Sequence, residues 1–241
     1  MPSLTVLLDH VAALRRTMQL TVPDPLAFAL MAELAGADGI AAYLREDYLH
    51  IQERDVRLLR QSIQSRLVLH MAPISEMVGI ALDIKPERVI LMPERSDEIN
   101  DTSAGSLDLV VQSTTLYETV DTLQSNGISV GVCIPPQPEQ VKLAHQLHAN
   151  WVQIHAGSLL AARSATKQRQ AWDDIIDTVK MAHKLRLQIA VGHGLDSRLI
   201  KLFKGIAEID EFSLGRSLIA KSLFIGVEKA VRHMIELINA L

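Results

Sequence analysis

The chain has 241 residues, 48% hydrophobic and 22% charged, which is enough apolar material for one large core or two small domains. A net charge of −4 excludes a basic field for nucleic acid or an anionic membrane surface, and 4% aromatics exclude a stacking platform for single strands. The single cysteine, Cys133, excludes an intrachain disulfide and a thiolate metal site. Met1 to Asp9 lacks signal-peptide character and no run reaches about 18 apolar residues, so a soluble cytoplasmic protein is expected.

Leu4 to Leu8 is a short apolar run that stops at Asp9-His10, and Val11, Leu14 and Arg15-Arg16 predict a turn or so of helix. After Thr21-Val22-Pro23, Asp24 is placed to cap a helix with Pro25 at its first position, running to Ala35 and ended by Gly36. The pattern then repeats. Strands are expected at Gly39 to Tyr43, Leu67 to Met71, Val89 to Met92, Ser129 to Ile134, Trp151 to His155, Leu187 to Val191 and Glu211 to Leu214. Helices are expected at Arg54 to Ile63, Ser75 to Ile84, Leu116 to Leu123 and Glu139 to Leu147. Others are expected after the polar segment Ser158 to Thr166 up to Leu185, from Ser197, and up to Leu241. Pro93 to Ser106 is a polar insertion too long for an ordinary connection and reads as an active-site loop.

Eight strand ends from Asp9 to Leu214 lie about 29 residues apart on average, near the roughly 30 residues of one β/α unit, with no flexible linker between any two. A doubly wound open sheet would carry a glycine-rich fingerprint after its first strand, where this chain has Asp9-His10. The expected fold is therefore α/β: a (β/α)8 TIM barrel forming a single domain over residues 1–241, with extra helical and loop insertions.

In such a barrel the strand carboxyl ends converge on one mouth. Of nine histidines, His10, His70, His155 and His193 fall at those ends, and His50 lies in the loop after the second strand. His145, His148, His183 and His233 fall on or beside helices and read as surface or packing residues. Each strand-end histidine is either a hydrogen-bonded core residue or a member of a site; their convergence favours the site. No His-x-His pair or His-Glu-x-x-His helix is present, so no metal is expected. Gly192-His193-Gly194 and Gly215-Arg216-Ser217 follow the last two strands, where barrels often hold a phosphate against a helix start, and Arg216 would add charge. Arg45, beside Glu46 and Asp47, is either a second anion clamp or part of a solvated ion-pair cluster.

Five motifs occur together and in order: Asp9-His10-Val-Ala-Ala-Leu-Arg15; Ala-Gly-Ala-Asp-Gly-Ile followed by Leu44-Arg45-Glu46-Asp47 and His50; Pro93-Glu94-Arg95; Ile154-His155-Ala-Gly157; and Gly192-His193-Gly194-Leu195. In this combination the chain resembles the pyridoxine 5′-phosphate synthases over nearly its whole length. The resemblance implies a homo-oligomeric barrel, an octamer built from dimers. It also implies condensation of deoxyxylulose 5-phosphate with aminoacetone phosphate without metal or organic cofactor. Asp9, His10, Arg45 and His50 match the family's deoxyxylulose phosphate contacts, and Ser103 stands for a threonine that shares that task. His193 matches a catalytic histidine, and Gly194 and Gly215 match phosphate-site glycines. Other positions depart: Tyr43 replaces a catalytic histidine, His70 a catalytic glutamate, and Gln153 a glutamate that supports the transition state. Leu7, Met18 and Arg216 replace an asparagine, an arginine and a histidine on the aminoacetone phosphate side.

Those departures bear on chemistry. Carbinolamine formation, dehydration and proton abstraction need groups that exchange protons near neutral pH; tyrosine, with a pKa of about 10, is a poor base there, and glutamine does not titrate. The expectation is a barrel that binds a phosphorylated small molecule with His193, His70 and Tyr43 near the reacting carbon, while the family reaction is altered or lost. The alternatives are a working synthase with rearranged acid and base groups, or a non-catalytic binder of a phosphorylated ligand.

Overall fold

The computed structural model describes residues 1–93, 105–110 and 113–241. Its eight strands are β1 (Ser3–Leu7), β2 (Gly39–Leu44), β3 (Arg66–Met71), β4 (Arg88–Leu91), β5 (Ser129–Ile134), β6 (Trp151–His155), β7 (Gln188–Gly192) and β8 (Glu211–Leu214). They pair in parallel in chain order, and β8 pairs back onto β1 through Ser3 to Val6, so the sheet is a closed barrel. The expected (β/α)8 architecture is what the chain adopts.

Helices α1 (Asp9–Met18) and α2 (Pro25–Leu34) follow β1, and α3 (Glu53–Ser62), α4 (Ser75–Ile84), α5 (Ser113–Ser125) and α6 (Pro138–Gln146) follow β2 to β5 in turn. After β6 come α7 (Gly157–Ala161) and α8 (Ala165–Lys184); after β8 come α9 (Arg216–Ile225) and α10 (Val227–Asn239). Three details differ from the sequence expectation. The first helix runs for ten residues rather than one turn, ending where Gln19 turns left-handed. The helix expected from Ser197 is only a 3-10 turn, Ile200–Phe203: the Asp196 carboxylate starts it by accepting the backbone N–H groups of Arg198 and Leu199, and the chain turns left-handed at Gly205 soon after it. The expected final helix is two helices broken at Gly226. The capping of α2 is as expected: the Asp24 side chain accepts from the Leu26 N–H and Pro25 follows it.

Alternation along each strand builds two apolar zones. Leu4, Val6, Ile40, Ala42, Leu67 and Leu69 face outward and pack under the helices. Leu7, Ala41, Val68, Ile90, Cys133 and Ala190 pack together in the barrel interior. At Gly131 a Cβ would lie 2.8 Å from the Cβ of Trp151, so a residue without one lets the indole enter the interior.

Charge closes the amino-terminal end. Arg88 on β4 reaches across to Glu211 on β8, its Nη1 3.1 Å from each carboxylate oxygen, and its guanidinium lies 3.3 Å over the Trp151 ring. Both partners are buried, and Arg66 adds a longer contact of 3.4 Å to the same carboxylate. An ion pair so placed resists loss of one partner more than loss of both, because the survivor stays desolvated. Glu211→Leu is expected to cost about 3–5 kcal/mol in urea unfolding, and Arg88→Met combined with it to recover most of that loss. A single-variant cost below about 1 kcal/mol would mean that the guanidinium finds water where it stands.

Candidate active site

The stretch after β2 is held by charge. Arg15 on α1 grips Asp55 through two bonds of 2.9 and 2.6 Å and also donates to the His50 carbonyl at 3.1 Å. Asp55 in turn accepts the Gln52 N–H at the start of α3. The loop carrying His50 is thus pinned from both sides. Arg45 is almost fully buried and points its Nε and Nη2 at the Asp47 carboxylate, 3.0 and 2.6 Å away, in the two-pronged geometry only arginine offers. It is an ion-pair member and a cavity wall at once.

Asp9, the first residue of α1, accepts the Tyr43 N–H at 2.8 Å and so joins the ends of β1 and β2. The Tyr43 phenol donates to the Pro93 carbonyl at 2.8 Å, joining β2 to the residue just past β4. That bond engages the phenol proton with a backbone acceptor.

These elements enclose a cavity of about 360 Å³ at the carboxyl ends of the strands. Asp9, His10, Tyr43, Arg45, His50, His70, His193, Gly194, Gly215 and Arg216 all line it, as the sequence predicted for a common mouth. Gln153, expected in the binding wall, stands behind His193 on β6, with its Nε2 3.1 Å from the His193 Nδ1. Ser103 lies outside the described residues. Leu7, Leu160, Asp196 and Ser217 also line the cavity, and His155 belongs with them. Sequence reasoning placed His155 among the converging histidines, Leu7 on the aminoacetone phosphate side and Ser217 in the turn after β8, but gave Leu160 and Asp196 no site role.

Burial keeps three of these imidazoles, His10, His50 and His70, uncharged. His10 is pushed down to about 4, chiefly by desolvation and then by the positive charge of Arg216 and by His50. His70 is pushed down to about 3, again by burial first and by Arg88 second. His50 is lowered by burial and by Arg45 and Arg16. Both His10 nitrogens, the His70 Nε2 and the His50 Nδ1 are buried without a hydrogen-bond partner. Unmet donors and acceptors facing one cavity are what a ligand rich in hydroxyl and carbonyl groups would satisfy.

On the far wall His193 follows β7 with φ of 58°, left-handed backbone that a non-glycine residue seldom adopts. Gly194 continues at φ 81°, and a Cβ there would lie 3.1 Å from Gly157 Cα. His155 stacks on His193 with ring centres 4.9 Å apart and planes 23° apart. Beside them Gly215 caps α9, Arg216 opens it, and Ser217 donates to the Leu195 carbonyl at 2.6 Å, tying the β8 loop to the β7 loop. Helix start, glycine turn and guanidinium thus lie together in one corner of the cavity, an arrangement whose partial and full positive charges favour an anion in general. Among the described residues no group of three or more His, Cys, Asp or Glu side chains is arranged to hold a metal, and no helix is long and apolar enough to cross a membrane.

A closed parallel barrel with a polar cavity at the strand carboxyl ends defines the class of (β/α)8 barrels. Solved barrels share the architecture: KGPDC from Streptococcus mutans aligns over 99% of this chain and 98% of its own with a TM-score of 0.63 at 15% identity. Monomers of phosphoribosylanthranilate isomerase from Thermotoga maritima align over 100% of both chains at 0.62 and 12% identity. Within that class the chain belongs to the family described as pyridoxal phosphate biosynthesis protein PdxJ, whose family model matches residues 4–240. Its relatives include a pyridoxine 5′-phosphate synthase of Desulforapulum autotrophicum, 43% identical over 241 residues and 100% of both chains. Another, of Syntrophobacter fumaroxidans, is 43% identical over 239 residues, 99% of this chain and 100% of that one.

A histidine whose folded pKa is depressed binds fewer protons than in the unfolded chain, so folding loses stability as pH falls from about 6.5 toward its folded value. For His70 that window runs from about 6.5 to about 3. His70→Gln is expected to reduce the acid sensitivity of unfolding by about 1.4 kcal/mol per pH unit between pH 6 and 4.5, measured by urea titrations at each pH. Parallel curves for the two proteins would show that His70 is solvated in the folded state.

Proposed function

We propose that this chain is an enzyme of the pyridoxine 5′-phosphate synthase type that has kept the pocket for a phosphorylated keto sugar and changed its proton-transfer groups, so that the family condensation runs slowly. The observation that carries this reading is the pairing of two changed positions. The Tyr43 phenol is engaged by the Pro93 carbonyl, and His70 is a buried imidazole held uncharged. Neither offers the carboxylate or freely titrating base that the family reaction draws on.

The binding half is supported by proximity. Asp9, His10, Arg45 and His50 face one cavity, matching the contacts that the resemblance assigns to deoxyxylulose 5-phosphate. A phosphate at the α9 start would meet its N–H groups and Arg216, which compensates in charge for Met18 standing where the family has an arginine. Leu7 makes the adjoining wall apolar, which weakens the fit for aminoacetone phosphate. This reading carries with it one domain over residues 1–241 and a cytoplasmic homo-oligomer, the octamer that the resemblance implies; sedimentation measures the last.

A second reading, full family activity, is favoured by 43% identity to synthases over the whole chain. A product assay by mass spectrometry with deoxyxylulose 5-phosphate and aminoacetone phosphate separates the two. Each lost acid or base costs roughly 10²- to 10⁴-fold, so pyridoxine 5′-phosphate is expected at least about 10²-fold more slowly than from a relative that keeps the family residues. Equal rates would establish the second reading. Deoxyxylulose 5-phosphate is still expected to raise the thermal midpoint, and Arg45→Ala to weaken its binding about tenfold or more.

A further inference from the structure

We infer that Gln153 is a positioning residue that holds His193 as a neutral imidazole protonated on Nε2, so that His193 polarises a substrate oxygen as a hydrogen-bond donor rather than acting as an imidazolium acid. The inference rests on the reading of His193 as a reacting group given above.

Gln153 is buried on β6, and its amide nitrogen lies 3.1 Å from the His193 Nδ1. With the amide NH2 group facing the ring, Nδ1 presents its lone pair and the ring proton sits on Nε2. An imidazolium has no lone pair at Nδ1 and would set N–H against N–H. A carboxylate at position 153 would do the reverse: it would accept from an Nδ1–H and favour the charged ring. Exchange of one carboxylate oxygen for an amide nitrogen thus replaces a support for the charged ring with one that favours the neutral ring.

The remaining surroundings act in both directions. From β6, His155 stacks on the ring, and its own Nδ1 accepts the Gly157 N–H at 3.3 Å, so that its proton also sits on Nε2. From β3, His70 faces His193 with ring centres 6.1 Å apart and brings no negative charge. Arg45 and Arg216 share the cavity and oppose a further positive charge, the uncharged His10 and His50 add none, and Asp9 and Asp196 line it and favour one. The direct amide contact decides between them. The left-handed backbone at His193, continued by Gly194 packed on Gly157, fixes the direction in which the ring leaves the chain. A neutral imidazole with a fixed Nε2–H is a preorganised donor for a developing oxyanion and needs no proton uptake to work.

The test reads the ring directly. In protein labelled with 15N-histidine and sedimented without substrate, solid-state NMR resolves protonated from unprotonated ring nitrogens, and a His193→Asn difference spectrum identifies the His193 pair. Between pH 6 and 8 the His193 Nδ1 is expected at the unprotonated position and Nε2 at the protonated one. In Gln153→Glu, Nδ1 is expected to become protonated over the same range. A protonated Nδ1 in the native protein would mean that the amide is turned to present its oxygen, and would overturn the inference. So would identical spectra for the native protein and Gln153→Glu. Because the spectra need no turnover, they stand or fall independently of which reaction is catalysed. With a turned-over substrate in hand, Gln153→Met is expected to lower kcat about tenfold or more with KM within twofold, and Gln153→Glu to add a one-proton inflection to the kcat–pH profile. An unchanged kcat in Gln153→Met would also sink the idea.

Discussion

Pairing of β8 with β1 turns a sheet that would have two exposed edges into a tube, and every other feature depends on that closure. Once the ladder is closed, each strand has an outer face against helices and an inner face against seven other strands. The inner face is narrow. Polar groups that enter it must pair with one another or face a ligand, and the barrel does one at each end: Arg88 and Glu211 neutralise each other at the amino end, while His10, His50 and His70 at the carboxyl end keep buried ring nitrogens with unmet hydrogen bonds.

The same closure explains why this site relies on neutral rings. Burial that costs a carboxylate its charge also costs an imidazole its proton, and His10 and His70 both titrate well below the usual histidine range. Where the chain keeps charge in the mouth, it holds it by hydrogen bonds, as Asp47 does for Arg45. Catalysis built on such a wall works through oriented donors and lone pairs more than through proton exchange.

Much of this was legible because period-2 alternation and turn residues report local backbone, and a strand end is a local event. The eight strands, the Asp24-Pro25 start of α2 and the convergence of His10, His70 and His193 could all be read from spacing. What spacing does not carry is contact between distant residues. Nothing in the sequence says that Gln153 would stand behind His193 instead of facing the cavity, or that Arg45 would be at once paired and in the wall. The 3-10 turn after β7 was missed because a cap such as Asp196 gives to Arg198 and Leu199 marks any helix start and does not report how far the helix runs. The break at Gly226 was missed because the apolar pattern continues on both sides of it.

The phenol of Tyr43 is a brace as well as a wall of the mouth. A side chain at this position that touched only the cavity could be exchanged at little structural cost, but this one fastens the end of β2 to the backbone beyond β4. Histidine is shorter and would release the Pro93 carbonyl even as it placed a titrating ring in the mouth. Any redesign of the cavity at position 43 must therefore find another way to hold the chain at Pro93.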